Sequence, residues 1–329
     1  MKPELNKILV IQTAFIGDAI LATSVIEKLH SSYPSALIDV LVRKGNESLF
    51  DQHPFLNKVL IWDKKESKYK SLWTILKKVR AGKYDLIVNL HRFASSGFIT
   101  AFSGAEQKVG FDKNPFSFLF TDKFRHDIGN GKHEVERNHE LIKKLTGEDF
   151  ERPKLYPSDV NERNTAMFKE GKYVCMAPSS VWFTKQLPVE KWVELCNAVP
   201  AETRIYLLGA KGDLSLCEEI RKSSSHKNIS VLAGRLSFLD SCSLMRDAQM
   251  NYVNDSAPLH LASAMNAPVT AFFCSTIPAF GFTPLSSNSR VIEITEKLEC
   301  RPCGLHGHRD CPKGHFKCGY TIDIRRALN

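Results

Sequence analysis

Short runs of branched and apolar residues alternate with longer amphipathic stretches down this whole chain, and they do so in two series with one break between them. Strand-length runs separated by helix-length ones are the pattern of parallel sheets covered by helices, because parallel neighbours need a long crossover where antiparallel ones need only a turn. The first series predicts strands over 7–13, 36–43, 58–62, 85–90 and 108–111, with helices over 18–31, 69–81 and 134–146. The stretch ERPKLYPSDVNERN (151–164) then interrupts the rhythm with two prolines and no sustained apolar face, so it reads as a linker. The pattern restarts with strands over 172–177, 204–209, 229–232, 250–254 and 268–273, and helices over 188–198, 213–224, 237–247 and 257–265. The expected fold class is therefore α/β, with two doubly wound Rossmann-like domains at 1–155 and 156–329. Open sheets of this kind bind ligands beyond the carboxyl ends of their strands, and two of them are expected to share an interdomain cleft.

The length of 329 residues agrees with two cores rather than one. No apolar run approaches the length of a membrane span, and the start MKPELNKILV lacks the regions of a signal peptide, so the expected location is cytoplasmic. A net charge of +9, from 45 Lys and Arg against 36 Asp and Glu, favours an anionic partner. The densest basic run, 64–83, reads as a solvated helix face. No basic stripe is interleaved with base-stacking aromatics, so nucleic acid is not an expected partner. All nine cysteines follow residue 170. Cys175, Cys196, Cys217, Cys242 and Cys274 sit singly in apolar or helical patterns, as small hydrophobes do in a reducing compartment.

Three strand ends carry candidate chemistry. In KILVIQTAFIGDAILAT (7–23), Gly17 permits a tight turn and Asp18 opens the next helix, where a carboxylate can serve as a cap or as a functional group. In APSSVWFTKQLPVEKW (177–192), Ser179, Ser180, Thr184 and Lys185 place hydroxyls and one ammonium in a loop suited to phosphate, although the glycine spacing of a Walker loop is absent. In YVNDSAPLHLASAMNAPVTAFF (252–273), the helix start at Ser256 offers amides to an anion, and Asp255 can accept hydrogen bonds from sugar hydroxyls. Asp255 as a cap and His260 as a packed helix histidine remain alternatives.

Together these segments resemble the family of glycosyltransferases that contains the lipopolysaccharide heptosyltransferases, from GDAILATSVIEKLHSSYPSALIDVLV through APSSVWFTKQLPVEKW and NDSAPLHLASAMNAP to the cysteine-rich tail. NDSAPLHLASA is the strongest marker, similar to the nucleotide-sugar signature of that family. The resemblance implies a two-domain GT-B fold with the acceptor domain first and the donor domain second. It also implies an inverting, metal-independent transfer of heptose from ADP-heptose to a lipid A and Kdo type core, with no cofactor. Asp18 matches the general base, and Lys185 the group that holds the donor diphosphate. Asp255, Ser256, Ala257 and His260 match the donor-binding segment, while Gly209 and Lys211 fall near the adenosine. Two departures stand out: Ala257 replaces a common glycine, and Gln186 and Leu187 replace an arginine and a tryptophan. They leave open a related transferase that uses another nucleotide sugar in surface polysaccharide assembly.

The tail CRPCGLHGHRDCPKGHFKCG holds Cys300, Cys303, Cys311 and Cys318, with His306, His308 and His315 among them. That spacing is compatible with a tetrahedral zinc site or with free thiols, and the expected metal set is none. A non-catalytic zinc-dependent protein for anions or nucleic acid is the remaining rival from another class. His91 and His139 are assigned no role. Five phenylalanines at 111–124 (Phe111, Phe116, Phe118, Phe120, Phe124) read mostly as core or edge-strand residues. The alternative is a surface that meets a lipid-linked acceptor with help from the basic run, giving peripheral contact with the cytoplasmic face of the inner membrane.

Overall fold

In a computed structural model that describes residues 4–64 and 68–328, the chain folds into two compact units that divide between Tyr156 and Pro157. Part of the basic run, residues 65–67, lies outside the described residues. The first unit runs β1 (Lys7–Gln12), α1 (Ile16–Ser32), β2 (Leu37–Arg43), β3 (Leu56–Trp62), α2 (Lys68–Gly82), β4 (Leu86–Asn89), α3 (Ala94–Ala101), β5 (Gln107–Phe111), β6 (Asp122–Phe124), α4 (Glu134–Glu140) and α5 (Lys143–Thr146). The second runs α6 (Asp159–Thr165), β7 (Tyr173–Ala177), α7 (Val189–Ala198), β8 (Arg204–Leu207), α8 (Leu214–Ser223), β9 (Ile229–Val231), α9 (Phe238–Arg246), β10 (Asn251–Asn254), α10 (Ala257–Ala264), β11 (Val269–Phe273), β12 (Ser289–Glu293) and α11 (Lys317–Tyr320).

Every strand pairing is parallel, and the sheets are ordered β3-β2-β1-β4-β5-β6 and β12-β11-β10-β7-β8-β9. Counted within its own unit, each sheet has the order 3-2-1-4-5-6 of a doubly wound dinucleotide fold. The order reverses between β1 and β4 in one unit and between β7 and β10 in the other, so each sheet has one switch point for a ligand.

Side-chain alternation places the cores. In β1, Leu9 and Ile11 join Ile75 and Val79 of α2 and Ile99 of α3, while Ile8 and Val10 are equally buried on the opposite face. In the second unit Met176, Leu207, Phe272 and Ile292 pack with Trp192 and Ile220, and Trp192 meets Phe272 edge to face at 5.5 Å. Phe316, Cys318, Ile322 and Ile324 complete that core, so the cysteine-rich tail is built into the unit.

The stretch 151–164 is not a free linker. Lys154 donates its N–H to Thr23 Oγ1 at 2.9 Å, Tyr156 donates to Glu27 Oε1 at 2.8 Å, and Leu155 is buried. Its second half is α6, started by Ser158, whose N–H donates to Asn161 Oδ1 at 2.8 Å. This helix docks on α9 through polar groups: Asn161 and Asn164 donate to Asp240 Oδ1 at 2.8 and 3.2 Å, and Thr165 meets Ser243 at 2.8 Å. An apolar stripe therefore never had to appear in its sequence.

The helix expected over 134–146 is likewise interrupted, as α4 and α5. Helix α3 and strands β6 and β12 also lie outside the expected elements. Helix α3 is rich in serine and glycine, and a Cβ at Gly97 would collide with Asn114, which donates to the His91 and Phe93 carbonyls at 3.0 and 3.1 Å. Of the five phenylalanines, Phe111 is core and Phe116, Phe120 and Phe124 are half-buried, but Phe118 is exposed.

Asp240 also accepts the Ser237 N–H at 3.0 Å. Burial would raise its carboxyl, but the bonds from Asn161, Ser237 and Asn164 hold it below the ordinary aspartate value. Asp240→Ala is expected to destabilise the second unit by about 1–3 kcal/mol, read as a lower urea midpoint at neutral pH. Because the folded value is depressed, the wild-type advantage is present above the unfolded pKa and disappears as pH falls through the folded one. A midpoint equal to the wild type at neutral pH would show that this carboxylate does not hold α6.

Candidate functional site

In the first unit the chain leaves β1 at its switch point and enters α1 at Phe15, whose side chain makes no cap. Asp18, the third residue of the helix, does that work: its carboxylate accepts the Phe15 and Asp18 backbone N–H groups. It nevertheless stays part-exposed. Helix-start amides ordinarily lower a carboxyl pKa, yet here burial, then the negative charge of Glu134, outweigh those bonds and the charge of Arg92 and push Asp18 up to about 6. Glu134, in the first turn of α4, keeps its own charge. Burial alone would raise it, but the bond and charge of His126 and those of Arg137 hold it low, with Nε2 of His126 at 3.3 Å and Nε of Arg137 at 2.7 Å.

The carboxyl end of β1 is polar as well. Lys64 donates to the Thr13 carbonyl at 2.7 Å; the residue as a whole is exposed, but desolvation of the ammonium, then the charge of Arg43, push it down to about 8. His91 follows β4, and its Nδ1 lies 3.2 Å from Thr13 Oγ1 and 3.1 Å from Ser96 Oγ. Burial, then the charges of Lys64 and Arg92, push this imidazole down to about 3, so it is neutral at pH 7. His139 bonds the Gly147 carbonyl at 2.9 Å, a structural contact.

In the second unit the loop after β7 and the end of β10 meet at the other switch point. Asn254, fully buried, donates to the Pro178 carbonyl at 2.7 Å and accepts the Leu187 N–H at 3.0 Å. Ser256 Oγ donates to the Ser179 carbonyl at 3.4 Å, so α10 starts with no side-chain cap; Pro258 has no N–H and Leu259 donates its own to the Ser256 carbonyl at 3.0 Å, which leaves the Ala257 amide to meet an anion. Lys185 Nζ lies 2.7 Å from Asp255 Oδ2, which also accepts from Thr276 Oγ1 at 2.6 Å. The expected phosphate-holding cation, part-buried, and the expected sugar-binding carboxylate, buried, thus form one ion pair.

Ser179 and Ser180 are half-buried beside this pair, and Gln186 Nε2 donates to the Ser180 carbonyl at 2.6 Å. Thr184 turns elsewhere: its hydroxyl is buried and accepts the His308 N–H at 2.8 Å. Ala257 is half-buried in the first turn of α10, and His260 is buried, edge-on to Phe282 at 6.5 Å. Gly209 and Lys211 lie past the end of β8, next to β7, where Lys211 is exposed and a Cβ on Gly209 would approach Asp213 Cβ to 2.8 Å.

Three of the tail cysteines have close polar partners. Cys303 Sγ lies 3.2 Å from the Cys300 carbonyl, Cys311 Sγ accepts the Phe316 N–H at 3.4 Å, and Cys300 Sγ lies 3.8 Å from His315 Nε2. Among the described residues, no three His, Cys, Asp or Glu side chains are placed to hold a metal ion. The tail instead supports the loop after β7 through backbone bonds from Thr184 to His308, Ser275 to Thr184 and Cys303 to Ser275. Glu134, Arg92, His91, Lys64 and Thr276 were not among the sequence candidates. The only signal that could have found them is their nearness to strand ends or to a helix start.

The sequence pattern of glycosyltransferase family 9 (heptosyltransferase) matches residues 72–310. This chain belongs to that family. The match takes in every second-unit site residue and leaves Asp18 outside it. The chain is 28% identical to lipopolysaccharide heptosyltransferase 3 of Escherichia coli over 83% of its length and 85% of the relative's. It is 24% identical to lipooligosaccharide heptosyltransferase 2 of Campylobacter jejuni, over 98% and 96%. The solved structure of E. coli ADP-heptose LPS heptosyltransferase II superposes with a TM-score of 0.80 at 22% identity, covering 98% of this chain and 96% of that one. The fold is GT-B, and the protein is a family 9 glycosyltransferase.

Gly307 has φ +75°, and a Cβ there would lie 2.8 Å from Thr184 Oγ1 and 3.1 Å from Lys185 Cγ. Gly307→Ala is expected to lower stability by about 1–2 kcal/mol from the left-handed backbone alone. The loss is read as a lower urea midpoint. An unchanged midpoint would separate the tail from the loop.

Proposed function

We propose that this protein transfers heptose from ADP-heptose to the inner core of lipopolysaccharide, using a lipid A and Kdo type acceptor at the cytoplasmic face of the inner membrane. The names of its relatives support the sugar and the acceptor class, and one observation carries the chemistry. Asp18 presents a part-exposed carboxylate with a pKa near 6 at a switch point, the value a general base needs to be ionised at neutral pH and still take a proton.

In the reaction, the acceptor hydroxyl gives its proton to Asp18 as its oxygen attacks the anomeric carbon of heptose. The bond from that carbon to the diphosphate oxygen breaks, its electron pair leaves on ADP, and a single displacement inverts the centre. Lys185 and the Ala257 amide at the start of α10 receive the departing charge, with Lys185 moving from Asp255 toward the diphosphate as Asp255 turns to the sugar hydroxyls. These positive groups belong to the protein, so the reading calls for no divalent ion or cofactor.

Asp18→Asn is expected to keep ADP-heptose binding while lowering transfer about 10²–10⁴-fold, measured by mass analysis of defined truncated core acceptors; an active variant would overturn the role. In the wild type, transfer is expected to rise with pH through about 6, because the protonated carboxyl below that value cannot accept a proton. Glu134→Gln removes a negative neighbour and is expected to move this acid limb to lower pH. Transfer that persists undiminished in EDTA is the outcome consistent with metal independence. Comparison of ADP-heptose with other nucleotide sugars tests the donor that Ala257 and Gln186 leave open.

A further inference from the structure

A chain of ring contacts crosses the surface of the first unit. Trp73 of α2 meets Phe98 of α3 edge to face at 5.7 Å; Phe98 meets Phe102 at 4.8 Å and Phe116 at 5.8 Å; Phe116 stacks with Phe118 at 6.4 Å. This is not core: Trp73 is 54% exposed and Phe118 71%. A contiguous aromatic patch of this kind marks a surface that is covered in function, whereas single exposed apolar residues are ordinary.

Charge identifies what covers it. Helix α2 buries Ile75, Leu76 and Val79 and turns Lys70, Lys77, Lys78 and Arg80 outward beside Tyr69 and Trp73, with no acidic residue between Lys68 and Gly82. The acids of the phenylalanine loop are engaged: Asp122 pairs with Lys144 at 2.9 Å, and Asp112 accepts the His126 N–H at 3.4 Å. A second copy of the chain pairing patch to patch would bring like charges together. An anionic bilayer meets both features at once, because Trp and Tyr rings settle at headgroup level and lysine stems reach the phosphates.

Placement agrees. Helix α3 follows β4, the turn carrying Phe116 and Phe118 follows β5, and Trp73 lies in the second turn of α2, the helix after β3, so these elements leave from the carboxyl edge of the sheet that also bears Asp18.

We propose that the Trp73–Phe98–Phe102–Phe116–Phe118 patch and the outer face of α2 form a docking surface for an anionic lipid bilayer. Its purpose rests on the lipid-linked acceptor proposed above, but its test does not.

Vesicles of phosphatidylglycerol and phosphatidylcholine in equal parts, with no acceptor lipid, are expected to sediment the wild-type protein at low salt, to blue-shift its tryptophan emission, and to release it at high salt. Vesicles of phosphatidylcholine alone are expected to bind weakly. Trp73→Ser with Phe118→Ser is expected to abolish the blue shift, and Lys77→Glu with Lys78→Glu to cut binding by more than the roughly fivefold expected for each lost cation. Far-ultraviolet circular dichroism and a urea midpoint unchanged in both variants confirm that they fold. No sedimentation of the wild type, or equal sedimentation of wild type and variants, overturns the proposal. So does a dimer in light scattering that the Trp73 and Phe118 variant loses while vesicle binding persists. Transfer to a water-soluble truncated acceptor reports separately on the catalytic reading.

Discussion

One buried amide at the end of the fourth strand organises each unit. In the second, the Asn254 side chain bridges the start and the end of the loop after β7, bonding Pro178 and Leu187, and so sets the path along which Lys185 meets Asp255. In the first, Asn89 ends β4, donates to Thr100 Oγ1 at 2.9 Å and accepts the His91 N–H at 3.0 Å. Both asparagines are fully buried, where an unpaired amide would be costly, so each loop has one favourable course. Parallel sheets of the same order leave a crevice at the strand ends, and these amides determine which side chains enter it.

The two sites use charge in opposite ways. Asp18 has backbone amides and Arg92 drawing its proton off, and burial and Glu134 holding it on; the second pair wins by enough to bring the carboxyl close to neutrality. Glu134 can act as that neighbour because His126 and Arg137 keep it ionised in a buried place. Lys185 and Asp255 instead neutralise each other at 2.7 Å, a largely desolvated pair that favours one geometry more than it adds stability.

Fold class was readable because both series of strands are rich in branched residues and the helices between them are amphipathic. The elements that escaped are those whose partners are polar or whose length is minimal: α6 hangs on Asp240 and Ser243, α3 is shaped around Asn114, and β6 has three residues. The same division runs through the sites. Asp18, Lys185, Asp255 and Ser256 sit where strands hand over to loops and helices, a position any sequence displays. Glu134 reaches Asp18 from more than a hundred positions away, and Gly307 packs under Thr184 from a similar distance, so only the folded chain brings them together. Thr184 illustrates the limit: its residue type suits phosphate, but its hydroxyl faces the tail.

The short strands β6 and β9 occupy the outer positions of their sheets, three residues each, beyond β5 and β8. A sheet margin that brief offers too few open amides and carbonyls to template the strand of a neighbouring molecule. A wholly parallel architecture, slow to assemble and rich in sticky branched runs, thereby closes one side of each sheet against intermolecular stacking while the rest of the chain is still finding its place.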